Sequence, residues 1–228
     1  MSNQLTIVFD HNDFLIFDKP PGLSFHSENG PGFVVHAEQQ LRSKLYSIHR
    51  LDKVTSGLII LAKNKSAAAK FTQLFSQNSN NEKQIEKFYI ALSSQKPKKK
   101  QGWIKGDMVK ARRGAFKLLN SKENPAITRF YSQSVKPKIR AFLLKPYTGK
   151  THQLRVALKS LGSPIIGDTL YASQDNSDRV YLHAFALKFN WNDEVIQIKN
   201  WPSIGKHYLT NDFGIIKSIW SEPWNLDW

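Results

Sequence analysis

Short apolar runs separated by polar turns dominate the first third of the chain, and their period decides which element each one predicts. Leu5 to Phe9 and Phe14 to Asp18 flank the polar turn His11-Asn12-Asp13, which predicts two strands. Lys19-Pro20-Pro21-Gly22 follows, and a rigid turn is expected because proline sets φ and glycine permits positive φ. Phe33, Val34, Ala37, Leu41 and Leu45 recur near helical spacing, so Phe33 to Lys44 is predicted to be an amphipathic helix leading to a strand before His49. Gly57 to Ala62 is short and apolar with adjacent isoleucines, the pattern of a buried strand. Ser66 is the expected cap of a helix over Ala67 to Phe75, with Ala68, Phe71 and Phe75 on one face. The polar, aperiodic stretch Ser76 to Glu82 reads as a loop between a first portion and a second.

In the second portion Glu86 to Leu92 predicts a strand, followed by the basic run Lys96-Pro97-Lys98-Lys99-Lys100, either a solvated loop or a phosphate contact. Gly102 to Val109 and Ala115 to Leu119 predict one hairpin bearing Lys105, Lys110, Arg112 and Arg113. Trp103 and Phe116 interleave with these cations, which suits single-stranded nucleic acid, though both rings could equally face a core. Ile127 to Tyr131 and Ile139 to Leu144 are further strands. Thr151 is the expected N-cap of a helix carrying Leu154, Leu158 and Leu161 on one face and stopping at Gly162, which leaves His152 and Arg155 on another face. Arg179 to Ala184 and Leu187 to Trp191 read as late strands, with His183 a structural histidine. Trp201, Trp220, Trp224 and Trp228 crowd the end of the chain as packing anchors. No repeat of solenoid length is present.

Composition narrows the partners. The 228 residues suffice for one large or two small domains, and 33 Lys+Arg against 18 Asp+Glu give a formal charge of +15. That field attracts a polyanion, with nucleic acid the first candidate. The longest uncharged apolar run, Gly57 to Ala62, is too short to span a membrane, and the N-terminus has no secretory pattern. With no cysteine, disulfides and thiolate catalysis are excluded, and the cytoplasm is the natural compartment. The seven histidines are scattered without paired ligand spacing, so no metal site is expected.

The chemistry concentrates in His49-Arg50-Leu51-Asp52-Lys53-Val54-Thr55-Ser56-Gly57-Leu58. Asp52 sits between two cations, which favour the ionised form. It could serve as a nucleophile, as an electrostatic anchor, or simply as a cap on the Thr55-Ser56-Gly57 turn. Gly149-Lys150-Thr151 lacks the glycine of a phosphate-binding loop, since Leu144 stands five positions earlier.

These segments together resemble the RluA-type pseudouridine synthases. The motif around Asp52, preceded by Lys19-Pro-x-Gly22, is similar to the family's catalytic motif. Lys87-x-Tyr89-x-Ala91 is similar to its second. Thr148-Gly-Lys-Thr-His-Gln-Leu-Arg155, continuing through Gly162-x-Pro164, Gly167-Asp168-x-x-Tyr171 and Leu182-His-Ala184, is similar to its third. The resemblance implies a mixed α/β (α+β) fold, with a largely antiparallel twisted central sheet flanked by helices and a central cleft. It implies one catalytic domain over residues 1–228, matched from about residue 5 to 190, without a separate N-terminal RNA-binding domain and with a Trp-rich tail outside the match. The implied reaction is isomerisation of uridine to pseudouridine in structured RNA, rRNA or tRNA, by a monomer without metal or redox cofactor. Asp52 is implied as the catalytic carboxylate, Arg155 as its counter-ion and Tyr89 as the stacking ring. Arg50 is implied to displace the base, with Lys53, Thr55, Lys150 and His152 as further substrate-binding residues. Lys53 and Lys150 stand where the family commonly has Arg, and Ala157 where it often has His. Two other classes share parts of this pattern: a catalytically silent RNA-binding protein, and a glycosidic hydrolase, which needs a second carboxylate such as Asp168 or Asp18.

Overall fold

The apolar runs become strands and helices in the computed structural model, which describes residues 4–28, 30–76, 85–173 and 176–228. In chain order these are β1 Thr6–Asp10, β2 Phe14–Lys19, α1 Phe33–Leu41, β3 Tyr46–Ser47, β4 Ser56–Ala62, α2 Lys65–Phe75, β5 Glu86–Ser93, β6 Gln101–Gly106, β7 Met108–Lys110, β8 Phe116–Leu118, β9 Ala126–Lys136, β10 Ile139–Pro146, α3 Gln153–Ser160, β11 Leu182–Trp191, β12 Glu194–Lys199 and α4 Asn211–Ile219. The class is mixed α/β, with predominantly antiparallel pairing. The chain divides into two units, one of residues 1–86 and 183–201, the other of residues 87–182 and 202–228. The expected loop from Ser76 to Glu82 lies, beyond Ser76, outside the described residues.

In the first unit β2 pairs antiparallel with β1 and β4, running from Phe14 opposite Ala62 to Lys19 opposite Gly57. β4 pairs in parallel with β11 at His183 and Ala184, and β12 follows β11 antiparallel. Every residue of β4 is buried, as its unbroken apolar run predicts. Phe14, Phe71, Phe189 and Trp191 form the aromatic centre of this core, with Phe71 stacked on Trp191 at 4.4 Å. Three expectations need correction. α1 ends at Leu41 rather than Lys44, because Arg42 turns left-handed and the Glu38 carboxylate accepts the Leu45 N–H at 2.9 Å. α2 is capped by Asn64, whose side-chain oxygen accepts the Ala67 N–H at 2.8 Å, and its buried face is Ala67, Phe71 and Leu74. The two late strands are one, β11; Arg179 lies before it, its guanidinium turned onto the carbonyls of Val180 and Ile204 in the second unit.

In the second unit β5, β10, β9 and β6 form an antiparallel ladder. One side is apolar and buried, with Ile104, Ala126 and Phe130 on it; on the other side the β9 and β6 positions are half-buried or exposed, while those of β5 and β10, such as Phe88, Ile90 and Leu143, are buried. The expected single hairpin over Gly102 to Leu119 is a correction: β6 pairs with β9, and β7 with β8 in a separate ribbon. Asp107 causes the break. Its carboxylate accepts the N–H groups of Glu123 and Asn124, and its own N–H donates to the Ser121 carbonyl, so the chain is redirected after Gly106. α3 begins at Gln153 with left-handed His152 as its cap, not Thr151, and stops before Gly162 at φ 74° as expected. Trp228 packs on Phe88 at 5.3 Å and on Tyr131 at 5.1 Å, and Trp220 is buried, which gives the tail tryptophans the anchoring role expected of them.

Candidate active site

The loop that carries Asp52 is held by its own neighbours in the first unit. Leu51 and Thr55 are buried on either side of half-buried Asp52, and the Thr55 N–H donates to the Asp52 carbonyl at 3.0 Å, closing a tight turn. Lys19 is completely buried, and its ammonium donates to the carbonyls of Pro20, Leu23 and Lys53 at 2.9, 2.8 and 3.2 Å. Gly22, at φ 84°, also donates its N–H to the Lys53 carbonyl at 2.8 Å. The Lys-Pro-Pro-Gly turn is therefore more than a corner. It folds under the loop and grips its backbone one residue beyond Asp52.

The exit from the loop is equally constrained. Gly57 has φ 106°, and a Cβ there would lie 2.3 Å from the Ala184 carbonyl oxygen, so no larger residue fits the close parallel approach of β4 to β11. Beside it the Ser56 hydroxyl meets His183 Nδ1 at 2.7 Å, and His183 Nε2 meets the Asn200 carbonyl at 2.8 Å. In the neutral ring Nε2 donates to that carbonyl and Nδ1 accepts from the serine. His183 is thus a satisfied structural histidine, as expected, and its work is to hold the start of β4. At the entry, His49 Nε2 accepts the Ile60 N–H at 3.0 Å and its ring stacks on Phe75. Arg50 and Lys53 project from this frame as exposed cations.

In the second unit Arg155 is on α3 and only 6% exposed, so it is not a surface helix charge. Its Nε and Nη2 donate to the two oxygens of Asp168, each at 2.8 Å, in a buried bidentate pair. The guanidinium also lies 5.0 Å from the centre of the Tyr171 ring. Tyr171 Oη in turn accepts the Phe116 N–H at 2.9 Å and hydrogen-bonds His152 Nδ1 at 2.9 Å. The start of α3 is pinned by Gln153, whose side-chain oxygen accepts from the Thr148 hydroxyl and the Lys150 N–H while its amide donates to Ile127 and Thr128 on β9. That glutamine ties the turn before α3 to β9. Lys150 Nζ reaches Asn124 Oδ1 at 2.6 Å. Tyr89 is half-buried in mid-strand on β5, opposite Leu144. Two residues before it, burial draws the Lys87 ammonium down to about 8.

Arg50, Asp52, Lys53 and Thr55 therefore share one clamped loop, and His152 and Arg155 share one network through Tyr171. Sequence reasoning assigned no role to Lys19, Ser56, Gln153 or Tyr171, and offered Asp168 only as a spare acid. Spacing could not reveal these contacts, because each joins segments that only folding brings together. Among the described residues no group of three or more His, Asp or Glu is placed to hold a metal ion, and no helix is long and apolar enough to cross a membrane.

The chain is similar in sequence and fold to known proteins. A family model described as RNA pseudouridylate synthase matches residues 13–160. An uncharacterized RNA pseudouridine synthase of Haemophilus influenzae is 52% identical over 209 residues, which cover 90% of this chain and 91% of that one. A ribosomal large subunit pseudouridine synthase C of Vibrio parahaemolyticus is 31% identical over 206 residues, covering 84% of this chain but 64% of the relative. The structure of human RNA pseudouridylate synthase domain containing 1 shares the fold, with a TM-score of 0.73 at 23% identity and 94% of each chain covered.

Proposed function

The chain belongs to the RNA pseudouridylate synthase family and is an RNA pseudouridine synthase, and from that premise we propose that Asp52 is the carboxylate on which the reaction turns. The observation that carries this reading is the double clamp on its loop, by buried Lys19 on one side and by Ser56, Gly57 and His183 on the other, around the one acid of the motif. In the reaction the N1–C1′ bond of uridine breaks, the base turns, a C5–C1′ bond forms, and the hydrogen on C5 leaves as a proton. No electrons are gained or lost. Attack by the ionised Asp52 at C1′ and removal of the C2′ proton by the same group both fit one carboxylate.

Arg155 serves as the counter-ion of Asp52 in this proposal. Asp168 takes its Nε–Nη2 edge, which fixes the orientation of the guanidinium. Tyr89 stacks on the target base. Exposed Arg50 occupies the place that the base leaves, offsetting an unstacking cost of about a few kcal/mol. Lys53, Lys150 and His152 meet the RNA backbone, while Thr55, being buried, acts by holding the turn. The substrate is a uridine in structured RNA, rRNA or tRNA, and relatives named for the ribosomal large subunit favour rRNA. We assign the protein to the cytoplasm as a single-domain monomer that needs no cofactor.

The test is release of tritium from RNA labelled at uridine C5, which C5 glycosylation alone expels. Asp52→Asn is expected to reduce release to background while RNA binding survives. Normal turnover by that variant would overturn the assignment.

A further inference from the structure

Residues directly opposite one another in an antiparallel sheet project to the same side, and successive residues to opposite sides. In the second unit Tyr89 is opposite Leu144, Leu144 opposite Phe130, and Phe130 opposite Gly102. One position along, Lys145 is opposite Arg129 and Arg129 opposite Trp103. Trp103 therefore lies on the face of this sheet that Tyr89 does not use.

Over β5 and β10 that second face is apolar and buried, with Phe88, Ile90 and Leu143 fully covered and Trp228 packed on Phe88 and Tyr131. Towards β6 it is open and cationic. Trp103 is 43% exposed, so packing does not account for a tryptophan there; its neighbours Ile104 and Gly106 occupy the buried face of the strand. Lys105 Nζ lies 4.6 Å from the centre of its ring and the Arg129 guanidinium 5.1 Å. The Tyr147 ring is 5.1 Å away, with Lys145 Nζ 5.4 Å over it. Among the described residues Asp227 stands 3.9 Å from Arg129 with its side chain fully exposed, and its carbonyl oxygen accepts from Arg129 Nη2 at 2.8 Å.

We propose that this face is a second RNA-contact surface, on which an unpaired base of the substrate RNA stacks on Trp103 while Lys105, Lys145 and Arg129 meet the flanking phosphates. Lys105 is exposed on a flexible stem, so it swings from the ring to a phosphate as a base arrives. Cations around an open ring suit a nucleotide strand, which presents an aromatic face and a negative charge at every step. The overall +15 charge favours the same partner. A strand held here passes the β6 edge of the sheet, so the preferred substrates carry a single-stranded segment beside the target uridine.

This inference rests on the RNA substrate of the synthase reading, and the assay separates the two. Total RNA labelled with tritium at uridine C5, from cells lacking this gene, serves as substrate for the full chain; absence of release by the unaltered protein would defeat the synthase reading itself. With that release in hand, Trp103→Ala is expected to raise KM about 5- to 150-fold with kcat kept at saturation. Trp103→Phe, which retains a ring, is expected to restore most of the affinity, and Lys105→Glu to raise KM as well. A KM for Trp103→Ala within about twofold of the unaltered protein would overturn the proposal, leaving the synthase reading intact. If circular dichroism shows that Trp103→Ala does not fold, photocrosslinking of the unaltered protein to the same RNA carrying 5-iodouridine decides. An adduct on Trp103 supports the surface, and its absence rejects it.

Discussion

The supports of Asp52 in the first unit and of Arg155 in the second rest on different physics. Around Asp52 the supports are main-chain: a buried ammonium on three carbonyls, a turn closed by Thr55, and a glycine pressed against Ala184. Around Arg155 the support is a buried charge pair, Asp168 bidentate on the guanidinium, with Tyr171 linking it to His152 and β8. A loop gripped by its backbone keeps its shape whatever its own side chains do. A long cation has no such frame. It needs a fixed anion to choose one orientation among its many rotamers.

The largest effect should come from breaking the charge pair. Asp168→Ala leaves the Arg155 guanidinium buried without this partner and is expected to destabilise the protein by about 3–5 kcal/mol, read by denaturant melts. A loss below about 1 kcal/mol would mean that the pair is not what holds Arg155. On the other side Gly57→Ala combines positive φ with a backbone overlap and is expected to cost about 2–4 kcal/mol, with tritium release falling because the Asp52 loop shifts. Retained stability would remove steric closeness from the description of that loop. Lys19→Met keeps the bulk but strips the carbonyls of Pro20 and Leu23 of their donor, an expected loss of about 1–3 kcal/mol. Its kcat should fall with it, since the Lys53 carbonyl is among those released.

A further effect is a pH dependence at Lys87. Its ammonium is lowered to about 8 by burial, against an ordinary value of 10.5, so the folded state binds fewer protons than the unfolded one between those values. Stability from this group is fully present above 10.5 and is lost as pH falls through 8. Lys87→Met should flatten that part of the stability profile, and an unaltered slope between pH 8 and 10.5 would contradict the shift.

Much of this was legible before folding. The strand pattern, the position of β4 and the acid at 52 follow from local periodicity and turn residues, because those depend on near neighbours. The failures were equally local in origin. Ser66 and Thr151 are good capping residues, yet Asn64 caps α2 and left-handed His152 occupies the cap position of α3, since several residues near a helix start compete and packing chooses among them. Of the hairpin expected over Gly102 to Leu119 only the inner part, β7 with β8, formed, because Asp107 commits its carboxylate to Glu123 and Asn124, two residues with no sequence signal pointing back to it.

The order of residues alone determined the reaction class, through motifs whose members lie within a few positions of one another and so carry their geometry in the backbone. It also determined the charge that draws an RNA. Only the tertiary structure decided that Lys19 is a buried clamp, that Arg155 answers to Asp168, and that Trp103 faces solvent while its neighbour Ile104 enters the core. Each of these is a contact or an exposure set by strand register and packing, and neither is written in the spacing of residues along a chain.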